Sequence, residues 1–280
     1  SVNSPALPAV MAIVNRTPDS FYDRGATFAD EAALRRCDEV IAQGATIVDI
    51  GGVKAGPGSP VDVAEELDRV IPVIAAVAQR HPDVLISVDT WRASVADEAI
   101  RAGAGLVNDT WAGYDPELVE VAGQHRVGYV CSHTGGVEPR TRPHRVRFDD
   151  VVADVIAETT RLAERAVSCG VPEERIFLDP THDFGKNTFH GLELLRRVDE
   201  IVATGWPVLM ALSNKDFVGE TVDRPVGERI PGTLAATAWA AARGVAAFRA
   251  HEVAETVDVI RMTAAIAGTA APLHTIRGLA

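Results

Sequence analysis

Three residues at the ends of short apolar runs carry the chemistry to follow first. Asp89 lies in VLISVDT, Asn108 in GLVNDT and Asp179 in RIFLDP. Two carboxylates accept hydrogen bonds, and an amide both donates and accepts. Such a trio suits the edge of a flat heterocycle of the amino-pyrimidinone kind. A second set, Ser213, Lys215, Arg249 and His251, comes from the last two such runs. Arginine clamps an anion with paired donors, and lysine meets one as a point charge. A phosphate or pyrophosphate ester of a flat ring would engage both sets.

These residues need a scaffold that brings distant runs together. The runs AVMAIVN, TIVDIGG, VLISVDT, GLVNDT, VGYVCSH, RIFLDP, PVLMALS and VAAFRAH are short, continuous and rich in Val, Ile and Leu. That pattern marks strands buried on both faces. Between them the spacing predicts helices over about 30–43, 61–80, 91–102, 115–125, 149–169, 190–203, 232–243 and 252–267. Asp30 is the expected N-cap of the first, and Gly44 falls just past its end. Eight strands each followed by a helix predict a parallel sheet closed into one (β/α)8 (TIM) barrel. The whole chain, 1–280, is read as one domain with its core from about 8 to 268. The longest loops, 16–29, 51–60, 134–147, 181–189 and 214–231, all follow strands, on the face where such barrels carry their sites. Asn15, Asp49, Asp89, Asn108, His133, Asp179, Ser213 with Lys215, and Arg249 with His251 end the eight runs and so collect around one mouth. Taken alone, Asp89 or Asp109 would equally serve as the N-cap of the next helix.

Composition narrows the classes. Hydrophobic residues make up 47% of 280, enough to fill a large core, and 39 acidic against 27 basic residues leave a net charge of −12. A broad nucleic-acid or anionic-membrane surface is not expected from such a chain. Cys37, Cys131 and Cys169 form no CxxC pair and read as reduced, inert thiols. No apolar run approaches the ~20 residues of a membrane span. SVNSPALP has no basic segment leading into an apolar one, so no signal peptide is expected and the cytoplasm is the expected compartment.

The motifs also carry a family resemblance. MAIVNRTPDSFYDRG (11–25), VDIGG (48–52) with PG (57–58), ISVDT (86–90), VND (107–109), LDP with FGKN (178–180, 184–187), SNK (213–215) and FRAHEV (248–253) resemble the signatures of the dihydropteroate synthase family, in that family's order. The resemblance implies a pterin-binding barrel. It also implies a reaction joining 6-hydroxymethyl-7,8-dihydropterin pyrophosphate to p-aminobenzoate, with pyrophosphate leaving. Asp89, Asn108, Asp179 and Lys215 would hold the pterin. Arg249 and His251 would hold the pyrophosphate, and Asn15 would sit at its Mg²⁺ end. Asp19 and Phe21 would lie on a first loop that closes over the site. Asn15, Asp19, Lys215, Arg249 and His251 are the catalytic set the resemblance implies. It further implies a homodimer, for which TLAATAWAAARGVAAF (233–248) offers a helix surface. The same stretch also suits a helix packed on its own barrel.

Departures from the family's pattern fall on the second-substrate rim. Where the family reads GGESTRPG, this chain reads GGVKAGPG, with Val53, Lys54, Ala55 and Gly56 in place of Glu, Ser, Thr and Arg. By resemblance, that Thr–Arg pair builds the aminobenzoate pocket and steadies the departing pyrophosphate. One lost transition-state donor typically costs ~10²–10³ in rate, so little or no synthase activity is expected. The alternative is a working synthase using p-aminobenzoate or another amine. Arg16 and Arg24 replace small residues, Asn214 follows Ser213 where the family has Arg, and His182 and Asp183 stand where glycines allow close approach. The loop EPRTRPHRVR (138–147) holds four arginines in ten residues. It is either a solvated loop or a site for a different anionic ligand or acidic partner, to which Arg16, Arg24 and Lys54 would contribute. Two other enzyme classes are weaker fits. A metal-dependent hydrolase would use His133, His182 and Asp179 but lacks the HxH pair on its first strand. A methyltransferase pterin domain would not carry TPDSF.

Overall fold

The computed structural model describes residues 6–16, 26–140 and 146–277. β1 (Ala9–Asn15) leads to α1 (Ala26–Ala42), β2 (Ile47–Gly51) to α2 (Val63–Arg80), β3 (Leu85–Asp89) to α3 (Ala93–Ala102) and β4 (Leu106–Asp109) to α4 (Pro116–Gln124). Then come β5 (Gly128–Cys131), α5 (Val151–Cys169), β6 (Ile176–Leu178), α6 (Thr188–Arg196) and α7 (Val198–Val202). The chain ends its circuit with β7 (Leu209–Ala211), α8 (Asp216–Val222), α9 (Ile230–Ala241), β8 (Ala247–Ala250) and α10 (Val253–Ala267). All eight strands are parallel neighbours in chain order, with β1 against β8. The ring closes between β6 and β7 through one bridge, Leu178 to Val208. The expected (β/α)8 barrel is the observed one.

Strand side chains alternate with a period of two, and here the alternation separates two cores. Ala12, Val14, Val48, Ile50, Val88 and Val107 join residues of the helices in the main core. The opposite set faces the barrel axis, where Met11, Ile47, Leu106, Val130, Leu209 and Ala247 form their own cluster with Phe177 packed against it. Two residues beyond Ile47, Leu106, Phe177 and Ala247, the same face carries Asp49, Asn108, Asp179 and Arg249. An apolar plug thus supports a polar tier, and the register sets Gly51 beside Asp89 and Asp89 beside Asn108.

Several local expectations change. α1 already begins at Ala26, so Asp30 lies inside the helix and is no N-cap. The helix expected over 190–203 starts earlier, behind a capping box of Asn187 and His190, and breaks at Arg197 into α6 and α7. The loop expected over 214–231 contains α8. Neither Asp89 nor Asp109 caps a helix: Asp115 caps α4 and also accepts from the Ala93 N–H at the start of α3. Asp109 instead accepts from Trp111 N–H, Gly113 N–H and the Tyr129 hydroxyl, bracing the β4 loop. The inner face of α9 packs on its own barrel through Thr233, Thr237 and Ala240, while Ile230 and Trp239 on α9, and Met262 and Ile266 on α10, stay exposed. The three cysteines are free, and burial pushes the Cys37 thiol up to about 12. No helix among the described residues is long and apolar enough to cross a membrane.

α4 meets the end of α5 closely: a Cβ on Gly123 would lie 2.1 Å from the Cys169 carbonyl oxygen. Gly123→Ala is expected to destabilise the fold by about 1–3 kcal/mol, measured as a lower urea midpoint. A midpoint equal to the parent's would mean that α5 yields freely at this contact.

Candidate active site

The polar tier is organised around Asp49, a carboxylate with 0% exposure. It accepts from Ser87 Oγ at 2.7 Å, Asn108 Nδ2 at 3.1 Å and Arg249 Nε at 2.7 Å. Arg249 also reaches Asp89, with Nη2 3.4 Å from Oδ2, and Asp89 accepts from Thr110 Oγ1 at 3.3 Å. Burial, and then the Asp49 charge, raise the Asp89 carboxyl above the usual range. The Asn108 amide gives its nitrogen to Asp49, which leaves Oδ1 buried with no partner among the described residues. Asp179 accepts the Thr181 N–H at 2.8 Å, and burial raises its carboxyl as well. Lys215 Nζ lies 3.4 Å from the His182 carbonyl oxygen and 5.0 Å from the centroid of the Phe184 ring. Burial lowers its ammonium below the usual range.

These side chains open onto a cavity of about 340 Å³, whose lining includes Asn15, Asp89, Asn108, Asp179, Lys215 and Arg249. Phe184 forms one wall, and Val53, Lys54 and Ala55 of the second loop form another. The structure therefore brings together, from four strand ends and loops, the residues expected to read a flat ring: Asp89, Asn108, Asp179 and Lys215. A buried amide oxygen without a partner, beside carboxylates that hold protons tightly, can exchange hydrogen bonds with a heterocycle bearing both donors and acceptors.

Other expected residues lie elsewhere. Asp19, Phe21 and Arg24 fall outside the described residues, as do Arg142 and Arg145. His251 stands at the exposed rim, not in the cavity lining, with Nδ1 2.9 Å from Ser213 Oγ. Ser213 and Asn214 both turn to Glu252: Ser213 Oγ donates to it at 2.8 Å and Asn214 Nδ2 at 2.6 Å. Arg16 is buried and paired with Asp30, Nε to Oδ1 at 2.9 Å, so it does not present itself to an external anion. Gly56 faces open space. Arg140 donates to the carbonyl oxygens of Gly56 at 3.3 Å and Ser59 at 2.6 Å, and so braces the second loop from the fifth. Asp183, at a φ of 70°, accepts from the Asp216 and Phe217 N–H groups and anchors the start of α8. Among the described residues no cluster of three His, Cys, Asp or Glu side chains is placed to hold a metal ion.

Two supports were not among the expected site residues. Asp49 was legible only as one more strand end. Lys186 is buried in a cage of carbonyl oxygens, donating to His133 at 2.9 Å, Thr181 at 3.1 Å and Phe184 at 2.8 Å. Burial pushes its ammonium down to about 7. The motif FGKN was its only signal.

A (β/α)8 barrel with this mouth defines a class. A family model described as pterin binding enzyme matches residues 11–251, and the chain belongs to that family. Within it, the chain is 60% identical over 275 residues to the inactive dihydropteroate synthase 2 of Mycobacterium leprae, covering 97% of this chain and 94% of that one. It is 37% identical over 263 residues to the dihydropteroate synthase of Haemophilus influenzae, covering 94% and 95%. The solved Xanthomonas albilineans dihydropteroate synthase with 4-aminobenzoic acid superimposes with a TM-score of 0.85 at 38% identity, covering 95% of this chain and 94% of that one.

Two predictions follow from the charges. Asp49→Ala leaves a buried guanidinium with a weaker partner, and is expected to destabilise the fold by about 3–5 kcal/mol in urea titrations. A loss below about 1 kcal/mol would show that Asp49 is no hub. The second concerns His182, which burial and the nearby Lys186 hold down at about 3 against an ordinary 6.5. Above pH 6.5 the ring is neutral in both states and contributes no pH dependence. Between 6.5 and 3 the unfolded chain takes up a proton that the folded chain refuses. Stability from this group is therefore lost as pH falls, by up to about 1.4 kcal/mol per pH unit. His182→Gln is expected to flatten the acid limb of stability against pH by one proton. An unchanged slope would mean that the folded ring already carries its charge.

Proposed function

We propose that this chain binds 6-hydroxymethyl-7,8-dihydropterin pyrophosphate at the barrel mouth and has little or no dihydropteroate synthase activity. One observation carries the reading: the tier of Asp89, Asn108 and Asp179 lines the cavity with Lys215, while the second-substrate rim lacks the arginines expected at positions 56 and 214. Ala55 and Gly56 stand where a Thr–Arg pair is expected, and Asn214 is occupied by Glu252. In this reading Asp89, Asn108, Asp179 and Lys215 hold the ring. Arg249 is already tied to Asp49 and Asp89 and steadies the ring half as much as any phosphate, leaving Asn15 and His251 at the pyrophosphate end. A relative named as an inactive synthase supports the loss of turnover.

Mg²⁺ fits this site only as a companion of the substrate. Asn15 offers one neutral amide oxygen at the mouth, and Mg²⁺ commonly fills its other positions with water and phosphate oxygens. When bound, it would neutralise the pyrophosphate. The protein's own groups position the ring and exclude water from its face. A homodimer, also expected from the resemblance, would use the exposed Ile230, Trp239, Met262 and Ile266.

The test is calorimetric titration with the pterin pyrophosphate and Mg²⁺, followed by p-aminobenzoate with mass spectrometry of the product. Binding without product is expected. Product at ordinary synthase rates would favour the alternative, a working synthase in which Lys54 serves in place of the lost pair. The triple variant Ala55→Thr, Gly56→Arg, Asn214→Arg is expected to raise turnover by ~10²–10³, because a side chain at Gly56 meets nothing within 4 Å. No binding of the pterin compound would refute the reading.

A further inference from the structure

Arg140, from the arginine-rich stretch 138–147, acts on the barrel mouth through the second loop. That loop, between β2 and α2, supplies Val53, Lys54 and Ala55 to the wall of the mouth cavity. Its ends are tied by two arginines: Arg69 Nη1 donates to the Gly52 carbonyl oxygen at 2.7 Å, and Arg92 Nη2 to that of Val61 at 2.5 Å. Its middle is held from the fifth loop, where Arg140 gives Nε to the Gly56 carbonyl oxygen at 3.3 Å and Nη1 to that of Ser59 at 2.6 Å. Gly58 lies between those two carbonyl groups in the chain, and a Cβ there would stand 2.6 Å from Arg140 Nη2. The guanidinium therefore sits in a socket that a side chain at position 58 would fill. Arg140 holds a φ of 61°. Such a backbone costs energy in any residue but glycine, and it persists where the surroundings over-determine it. Arg147, further along the same stretch, lines a second cavity between the β5 loop and α5 and takes no part.

What the socket holds in place is a charge. The lining of the mouth cavity includes three cations, Lys54, Lys215 and Arg249. Arg249 is answered by Asp49 and Asp89, and Lys215 lies over the Phe184 ring beside the ring-reading set. Lys54 comes from the second loop and shares the cavity with Asn15. An ammonium meets phosphate oxygens as a compact point charge. Fixing its loop before a ligand arrives removes the ordering cost that a mobile lysine would incur on binding.

We propose that Lys54 is the cation that receives the pyrophosphate at the mouth, and that Arg140, with Gly58 leaving room for it, is the positioning residue that holds Lys54 there. The proposal rests on the pterin pyrophosphate reading and adds a cation to its anion end.

Calorimetry with Mg²⁺ compares two ligands, 6-hydroxymethyl-7,8-dihydropterin pyrophosphate and the parent alcohol, which lacks the anion. Lys54→Ala and Arg140→Ala are each expected to weaken the ester about tenfold and to leave the alcohol unchanged. In the double variant the loss stays at about tenfold, because both changes remove one contact. Gly58→Ala reaches the socket from the other side. Its backbone lies outside the left-handed region, so alanine there disturbs the guanidinium alone and is expected to behave as Arg140→Ala does. A second arm needs no ligand. Trypsin cuts after lysine, and cleavage between Lys54 and Ala55, read by mass spectrometry, is expected to be about tenfold faster in Arg140→Ala and Gly58→Ala than in the unaltered chain. Unchanged cleavage would overturn the positioning role. A loss of about a hundredfold in the double variant, or equal losses for both ligands, would overturn it as well. An unaltered chain that binds both ligands, with Lys54→Ala binding the ester equally well, would sink the proposal and spare the pterin reading. An unaltered chain that binds neither would sink both.

Discussion

A buried ion pair between Asp49 and Arg249 arranges the barrel mouth. Removing two charges from water is expensive unless each is closely matched, and Asp49 is matched by three donors from three different strands. Other properties follow from that match. Asn108 must present its nitrogen to Asp49, so its oxygen turns to the unpaired side. Asp89, buried and also close to a carboxylate already committed, holds its proton more tightly. Yet Asp49 is absent from the cavity lining. The residue that orients these lining groups does not itself line the cavity.

The sequence displayed the scaffold well because the barrel repeats one rule. Four strands run from an apolar inner residue, past one facing the helices, to a polar residue on the inner face: Ile47 to Asp49, Leu106 to Asn108, Phe177 to Asp179 and Ala247 to Arg249. Period-two alternation and eight repeats suffice to gather the polar set at one end. What stayed hidden is pairing across the ring. Nothing in VDIGG distinguishes Asp49 as a hub from Asp49 as one more strand end. Asp30 looked like a cap because Asp precedes a helical pattern; its carboxylate instead answers Arg16, which a one-dimensional reading cannot match to it. α8 escaped notice because seven residues give less than two turns of periodicity.

The departures at the rim form a consistent set. Asn214 is matched by Glu252, Arg16 by Asp30, Asp183 by the first N–H groups of α8, and Arg140 by two carbonyl oxygens of the second loop. These four polar side chains each have an internal partner, so this part of the surface is braced and not merely stripped. This also narrows the reading of the arginine-rich loop: Arg140 works as a strut inside the protein, and Arg147 faces the second cavity instead of the mouth.

Asp49 and Arg249 are separated by 200 positions in the chain. During synthesis the carboxylate emerges long before its guanidinium, and β1 likewise waits for β8. A nascent chain that stops short of β8 has no cation for the inner carboxylate and keeps that tier hydrated. Closure is thereby deferred until nearly the whole polypeptide is available, and contacts of such long separation fold slowly. The ion pair that shapes the mouth and the pairing of β1 with β8 therefore both wait for nearly the whole chain.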